Sequence, residues 1–241
     1  MPKTNKLRNW KHYFWEFFMI FLAITVGFFV ENYQKKKAKD KAEVEFVKSF
    51  KNDLINDIYQ LDKLIDRRKE REIRIDSLIT IINLDLLDTY SSEMYFYTRY
   101  LPRPSVFRAS LSTISQLKNS GNFTIIKNQS VVDTILAYED SYEFIDRIRD
   151  REEYLVKRVF DQINILFDPM VFNEMNLYDI EFVRPKGNPR YKSKNKDALS
   201  TFLSNLHYVK TVNVAQIGWF TRFQNQAKTT LQYIESQYDL N

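Results

Sequence analysis

The feature that most constrains this chain is an apolar run near its N-terminus, residues 13–30 (YFWEFFMIFLAITVGFFV), in which Glu16 is the only charged residue. As a helix with a rise of about 1.5 Å per residue, it spans roughly 27 Å, close to the ~30 Å thickness of a bilayer's hydrocarbon core. No other segment of the sequence is comparably apolar. We therefore predict a single membrane anchor, with the lipid bilayer as the first partner of the chain.

The flanks of the apolar run are typical of an uncleaved signal-anchor. A basic tail, residues 1–12, precedes the run, and the residues after it (ENYQ, 31–34) offer no small-x-small cleavage site. Four lysines or arginines lie before the run and five lie just after it, so the positive-inside rule leaves both orientations open. We favour a single-pass protein of the bacterial inner membrane, with a cytoplasmic tail and a periplasmic domain.

Glu16 has two interpretations. In the first it is an interfacial carboxylate in the first turn of the helix, where the helix dipole favours a negative charge. In the second it belongs to a packing face whose members recur at steps of four, three and four residues: Glu16, Ile20, Ala23 and Gly27. Ala23 and Gly27 form a small-xxx-small pair that permits close approach of a second helix. This face is a candidate contact in a homo-oligomer or with a partner membrane protein.

Residues 31–241 are predicted to form one helical domain. The chain has only four glycines and six prolines, which favours long uninterrupted helices. Apolar residues recur at alternating steps of three and four over about 42–83, 129–166 and 197–238. No glycine or proline lies between Val30 and Leu101, so the anchor helix is expected to run on into the domain. The predicted fold is all-α: one N-terminal transmembrane helix that continues into a bundle of long antiparallel, coiled-coil-like helices.

Two charged sections interrupt this apolar pattern, residues 67–74 (RRKEREIR) and residues 146–153 (DRIRDREE). We expect the first to be solvated. The two sections are also candidates to face each other across an antiparallel helix pair. Ser130, with Asp133 three residues later, is predicted to cap the helix that contains the second section.

The stretch 169–197 is the least regular part of the sequence and carries a basic loop. Its six cations are Arg184, Lys186, Arg190, Lys192, Lys194 and Lys196. One interpretation is a solvated loop, and the alternative is an electrostatic contact with anionic lipid or an acidic partner. Nucleic acid is not expected as a partner, because residues 46–241 carry 27 basic and 26 acidic residues and the loop offers a lone Tyr191 for base stacking.

The turn Ser120-Gly121-Asn122 is a second candidate surface. Its plain interpretation is a turn that ends a short helix, with glycine as the C-terminal cap. Its functional interpretation is a corner at which a partner docks.

Two segments resemble a known family. Residues 15–34 (WEFFMIFLAITVGFFVENYQ) are similar to the opening of an uncharacterised family of small single-span membrane proteins from Bacteroidota. Trp15 stands where that family usually has glycine before the glutamate. Residues 112–128 (STISQLKNSGNFTIIKN) are similar to the family's Leu-x-x-Ser-Gly segment. The resemblance implies one span and a helical domain of unknown function, and it supplies no catalytic residues.

The sequence contains no recognisable catalytic constellation. It has no cysteine, which excludes disulfides, thiol nucleophiles and cysteine-ligated zinc. Its two histidines are His12 in the tail and His207, which we interpret as a partly buried structural residue. No glycine-rich phosphate loop, His-Glu-x-x-His motif or nucleophile elbow occurs. We therefore expect no enzyme, no cofactor and no metal site.

The leading hypothesis is a membrane-anchored interaction or scaffold protein that acts through helix–helix contacts. The alternative is a sensory or ligand-binding helical module that works with a separate signalling partner.

Overall fold

One helix of 78 residues, α1 (Lys6–Asn83), begins in the basic tail, contains the whole apolar run and ends inside the domain. It belongs to a computed structural model that describes residues 6–103, 106–119, 122–176 and 181–240. Beyond Gly27 the helix contains neither glycine nor proline, the two residues that most readily interrupt a helix. The predicted long N-terminal apolar helix is therefore confirmed, and it is continuous with the domain.

The remaining described elements are helical too, and no strand occurs in the ranges given above. The predicted all-α class is confirmed. The further α-helices are α2 (Ser91–Tyr100), α3 (Ser112–Asn119), α4 (Gln129–Leu166), α5 (Pro169–Glu174) and α6 (Lys196–Gln237). A 3-10 turn, Asn122–Ile125, lies between α3 and α4. Part of the stretch predicted to be irregular, 169–197, is thus the short helix α5, with Pro169 at its start.

Helix α6 lies against both of the other long helices and runs antiparallel to each of them. Three contacts with α1 show the direction: Glu43 with Tyr238, Arg68 with Asn213, and Asp76 with Lys210. Three contacts with α4 do the same: Asn128 with Gln237, Phe144 with Trp219, and Phe167 with Phe202. The chain therefore returns along α6 from the distal end of the bundle, near Asn83, to the proximal end, near Glu43.

Helices α1 and α4 run in the same direction. Their contacts advance together along both helices: Asp57 with Tyr138, then Arg68 with Glu152. The two charged sections of the sequence do meet, but between parallel helices and not in the antiparallel pair that the sequence pattern led us to consider. The reason is that residues 84–128 do not form a short hairpin loop. They carry the chain from the distal end back to the proximal end before α4 begins.

Carboxylates of α1 hold the returning segment. Asp57 accepts hydrogen bonds from the Ser110 backbone N–H at 2.9 Å and from the Tyr138 hydroxyl at 2.7 Å. Glu43 accepts bonds from the Lys127 backbone N–H at 2.9 Å and from the Tyr238 hydroxyl at 2.7 Å. Both carboxylates are buried. They satisfy polar groups that would otherwise be costly to bury, so the segment is bonded to α1 at two heights of the bundle.

Asparagines cap the starts of α4 and α6. The Asn128 side chain accepts from the Ser130 N–H at 3.0 Å, so Asn128 caps α4, and the prediction of a cap at Ser130 is wrong by two residues. Asn195 accepts from the Ala198 N–H at 2.9 Å and caps α6 in the same manner. Each asparagine satisfies one of the backbone donors that a helix start leaves free.

The core consists of two apolar clusters at different heights of the bundle. The proximal cluster includes Phe50, Leu54, Tyr138, Phe223 and Ile234. The distal cluster includes Ile75, Leu78, Tyr95, Phe167 and Phe202. A layer of buried polar side chains lies between them, and it is described below.

Candidate functional site

The apolar run of α1 lies entirely outside the bundle. No part of its most apolar 18-residue window is buried, and the mean hydropathy of that window is 1.9. It is the one described helix long and apolar enough to cross a membrane. Fourteen large apolar side chains between Tyr13 and Val30 are exposed, with accessible fractions between 40% and 71%. The run is therefore not the core helix of the domain.

The candidate packing face of this run is exposed along its whole length. Glu16, Ile20, Ala23 and Gly27 are all exposed. A Cβ atom added to Gly27 would meet nothing within 4 Å, so no contact inside the chain requires glycine there. His12 Nε2 lies 3.4 Å from Glu16 Oε1, one helical turn away. A hydrogen-bonding partner for Glu16 is thus available within its own helix.

A buried charged layer crosses the middle of the bundle and joins all three long helices. Arg68 binds Glu152 through two parallel bonds, Nη1 to Oε1 at 2.7 Å and Nη2 to Oε2 at 2.8 Å. Arg71 donates Nη1 to the same carboxylate and Nη2 to the Leu101 carbonyl at 3.1 Å. Gln216 of α6 donates to Glu152 Oε2 at 2.9 Å. One carboxylate therefore organises donors from α1 and α6.

Asn213 completes the layer. Its side-chain amide donates to the Arg68 carbonyl at 2.9 Å, and its oxygen lies 3.4 Å from Arg68 Nη1. The exposed fractions are 1% for Arg68, 5% for Arg71 and 4% for Glu152. The two arginines and the one glutamate leave a net charge of +1 in this layer. Buried charges at this density require a closely fitted set of partners.

Electrostatics in the layer keep Glu152 ionised. Burial by itself would raise the pKa of this carboxyl, but the hydrogen bonds from Arg68 and the charges of Arg71 and Arg68 outweigh it. They lower the pKa of Glu152 from 4.5 to about 2. Burial lowers the pKa of Arg71, against the opposing charge of Glu152. Around neutral pH the carboxylate is therefore a fixed negative charge at the centre of the bundle.

Sequence reasoning missed this layer. The section 67–74 was expected to be solvated, and for Arg68 and Arg71 that expectation is wrong. The sequence signal that could have predicted this burial is the spacing of core positions in α1. The alternating steps of four and three residues continue without interruption through the charged section 67–74. One line of buried positions in α1 comprises Glu43, Val47, Phe50, Leu54, Asp57, Leu61, Leu64, Arg68, Arg71, Ile75 and Leu78. Alternating steps of four and three placed these two arginines on the core face despite their charge.

The basic loop lies at the distal end of the bundle. Three of its cations contact the chain itself: Arg184 binds Glu93 at 3.0 Å, Lys194 pairs with Asp88, and Lys192 donates to the Asn164 carbonyl at 3.0 Å. Lys186, Arg190 and Lys196 are exposed. At about 1.5 Å per residue, the 53 residues from Val30 to Asn83 place this end roughly 80 Å along α1 from the apolar run. The loop therefore lies far from any lipid that would surround the apolar run.

The other candidate residues form no catalytic cluster. Ser120 and Gly121 lie outside the described residues, and Asn122 begins the 3-10 turn. His207 is exposed on α6, which corrects the expectation of a partly buried histidine. Among the described residues, no group of three histidines or carboxylates could hold a metal ion.

A groove between α4 and α6 has aromatic side chains in its wall. It holds about 420 Å³. Phe144, 48% exposed, meets the Trp219 ring edge-on at a centroid distance of 6.1 Å. Arg147 and Arg222 lie at its rim.

In comparisons with protein-family models, with curated proteins and with solved structures, nothing matches this chain.

Proposed function

We propose that this chain is a membrane-anchored helical interaction protein, which holds a rigid three-helix bundle at a membrane surface and acts through helix–helix contacts. The observation that carries the proposal is the complete exposure of the apolar run on a helix that is continuous with the bundle. Soluble monomers rarely expose such a large apolar surface. Covering fourteen large apolar side chains is worth on the order of 20 kcal/mol at about 1.5 kcal/mol each.

A bilayer fits the run better than a protein groove does. Its length is close to the hydrocarbon thickness, and large apolar side chains surround the helix on all sides, which a lipid environment accommodates. Trp10 and Trp15 at one end and Tyr33 at the other stand where interfacial aromatic residues are enriched. We further propose the inner membrane of a bacterium and a periplasmic bundle. The resemblance of residues 15–34 and 112–128 to the uncharacterised single-span family stays a prediction.

The anchoring test is membrane extraction of the full chain. We expect it to stay with membranes through alkaline carbonate washing and to be released by detergent only. A variant that lacks residues 1–42 should be released without detergent. Release of the full chain by carbonate would refute the anchor, as would a mature N-terminus located after Val30.

Within the membrane, we propose that the face of Glu16, Ile20, Ala23 and Gly27 contacts a second helix. Gly27→Leu should reduce cross-linked dimer in membranes, because the added side chain holds two helix backbones apart. Thr25→Leu is the matched control, since it adds a similar apolar side chain about 200° around the helix. Equal cross-linking in the two variants would contradict this face. Within the bundle, we propose coiled-coil-like packing along the seams, supported by the steps of four and three.

A second candidate function, a ligand-binding module for a separate signalling partner, is favoured by the α4–α6 groove. Its volume of about 420 Å³ falls within the usual range of small-molecule sites. Thermal-shift screening of the full chain in detergent tests it. Ligands that raise the melting temperature of the wild type, but not of Trp219→Ala, would support it.

We propose neither catalysis nor a cofactor. The expectation rests on the absence of a recognisable motif in the sequence and of a metal-ligand cluster among the described residues.

A further inference from the structure

A bare segment of α1 separates the apolar run from the bundle. Every side chain from Glu31 to Lys39 is exposed. The first contacts with the rest of the domain are made by Asp40, which pairs with Lys127 at 2.5 Å, and by the buried Glu43. For about two and a half turns, α1 is thus a lone helix beside the expected membrane surface.

Four lysines occupy this segment, Lys35, Lys36, Lys37 and Lys39, and the exposed Lys41 follows just after Asp40. At about 100° per residue, they leave no gap wider than about 120° around the helix. We refer to them as the lysine ring. Of the five, only Lys35 takes part in an ion pair of the described chain, with Glu31 at 2.6 Å. Because Asp40 is already paired with Lys127, the ring keeps an excess of positive charge.

The ring begins at the outer edge of the headgroup layer. At about 1.5 Å per residue, Lys35 lies roughly 8 Å and Lys41 roughly 17 Å beyond Val30. The polar headgroups extend about 5–8 Å from the hydrocarbon on each side of the bilayer. Flexible lysine side chains direct their ammonium groups toward that layer. All five charges then lie within about a Debye length of the phosphates.

We propose that the lysine ring is a binding site for anionic phospholipid headgroups, which surround α1 and bind it from every side. This inference rests on the proposed membrane anchoring. The chemistry it requires is a surface of negatively charged phosphodiesters, because the ring offers ammonium donors in all directions and no pocket for a single ligand. The same electrostatic attraction draws other juxtamembrane basic segments to anionic lipid.

The site also explains why the bundle begins at a distance from the apolar run. A bundle that started directly after Val30 would cover part of the helix surface and exclude lipid from that side. The bare segment keeps the full circumference of α1 open at headgroup height. The basic loop at the distal end, roughly 65 Å from the lysine ring along α1, does not compete for the same lipids.

The test uses the full chain in vesicles of phosphatidylcholine with trace spin-labelled lipids. The motionally restricted fraction of spin-labelled phosphatidylglycerol is compared with that of spin-labelled phosphatidylcholine. We expect a clear preference of the wild type for phosphatidylglycerol. The quadruple change Lys36→Gln, Lys37→Gln, Lys39→Gln and Lys41→Gln should lower that preference by about twofold or more, with the basic tail retaining the remainder.

A matched variant removes four exposed positive charges far from the membrane: Lys157→Gln, Lys186→Gln, Arg190→Gln and Lys196→Gln. It should keep the wild-type preference. High salt should abolish the lipid preference of the wild type while the protein stays in the vesicles. This salt dependence gives a second measurement if the ring variant folds poorly.

Three results would overturn the inference. The first is a wild type that inserts but shows no preference for phosphatidylglycerol over phosphatidylcholine. The second is a matched variant, lacking the four distant charges, whose preference falls as far as that of the ring variant. Both leave the anchor intact. The third is a wild type that fails to insert, as shown by carbonate-sensitive flotation, and this result refutes the proposed anchoring together with the lipid site.

Discussion

Replacing Glu152 by glutamine is the sharpest test of the buried charged layer. The change keeps the size of the side chain and removes the only negative charge from a site where Arg68 and Arg71 stay buried. The carboxylate accepts bonds at 2.7 and 2.8 Å from Arg68 and at 2.9 Å from Gln216, and a further bond from Arg71. A glutamine side chain has one acceptor oxygen and one NH2 group. At least one of the donors from Arg68, Arg71 or Gln216 would therefore face the NH2 group, which is itself a donor.

The expected cost follows from this geometry. Removing one partner of a buried ion pair costs about 3–5 kcal/mol, because the remaining charge keeps its burial penalty. For a domain of this size, each kcal/mol shifts the melting temperature by about 2–4 °C, so the shift should be roughly 6–20 °C. Circular dichroism of the full chain in detergent measures it. Glu153→Gln is the matched control, because Glu153 is 60% exposed and lies 3.7 Å from Arg149. Its loss should be about 0–1 kcal/mol.

A melting temperature for Glu152→Gln that matches Glu153→Gln would refute the reasoning. A companion variant tests whether the charged triad contributes net stability. Replacing the triad by apolar residues (Arg68→Met, Arg71→Met and Glu152→Leu) should be neutral or stabilising, since a well-packed apolar layer avoids the cost of desolvating charges. If it unfolds the protein as severely as Glu152→Gln does, the triad contributes net stability and this account of it is wrong.

Three further predictions test the bundle. The pKa of Glu152 is about 2 in the folded state and 4.5 in the unfolded chain. Its contribution, on the order of 3 kcal/mol, is complete above pH 4.5 and is lost as the pH falls toward 2. Acid titration of wild type against Glu152→Gln measures it, and parallel curves would contradict it. Tyr138→Phe removes the bond to Asp57 and should cost about 1.5–3 kcal/mol in urea unfolding, whereas the exposed Tyr154→Phe should cost almost nothing. Asn128→Ala removes the cap of α4 and should cost about 1 kcal/mol in the same assay, and an unchanged midpoint would show that the cap is dispensable.

Much of the architecture is encoded in local pattern. Steps of three and four in the apolar residues placed one line of side chains on the core face of α1: Val47, Phe50, Leu54, Ile58, Leu61 and Ile65. Five of them are buried, and Ile58 is partly buried against the same cluster. These predictions require only the period of the helix and the burial of apolar side chains. They do not depend on knowing which helix lies opposite. The long apolar helix over residues 13–30 could be predicted in the same way, because its length and composition are local properties of the sequence.

The charged layer and the helix directions depend on information far apart in the chain. Arg68 is buried only because Glu152, 84 residues later, lies opposite it. A charged section read without its partner is correctly expected to be solvated, because unpaired buried charges are prohibitive. The parallel course of α1 and α4 depends on residues 84–128 returning to the proximal end, held there by Asp57 and Glu43. The local spacing of apolar residues predicts neither the pairing of Arg68 with Glu152 nor the parallel direction of α1 and α4.

The continuity of α1 links the apolar run to the bundle mechanically. From Val30 to Arg68 the helix has no glycine or proline and advances about 57 Å. A helix of this kind bends only gently unless a specific residue kinks it. A rotation of the apolar run about its own axis would first meet the contacts at the proximal end of the bundle, where Asp40 pairs with Lys127 and Glu43 holds the Lys127 N–H and the Tyr238 hydroxyl. Arg68 lies farther along α1, behind those contacts and the apolar cluster around Phe50 and Leu54. A rotation would therefore reach the bonds of Arg68 to Glu152 and Asn213 only if the proximal contacts yielded first.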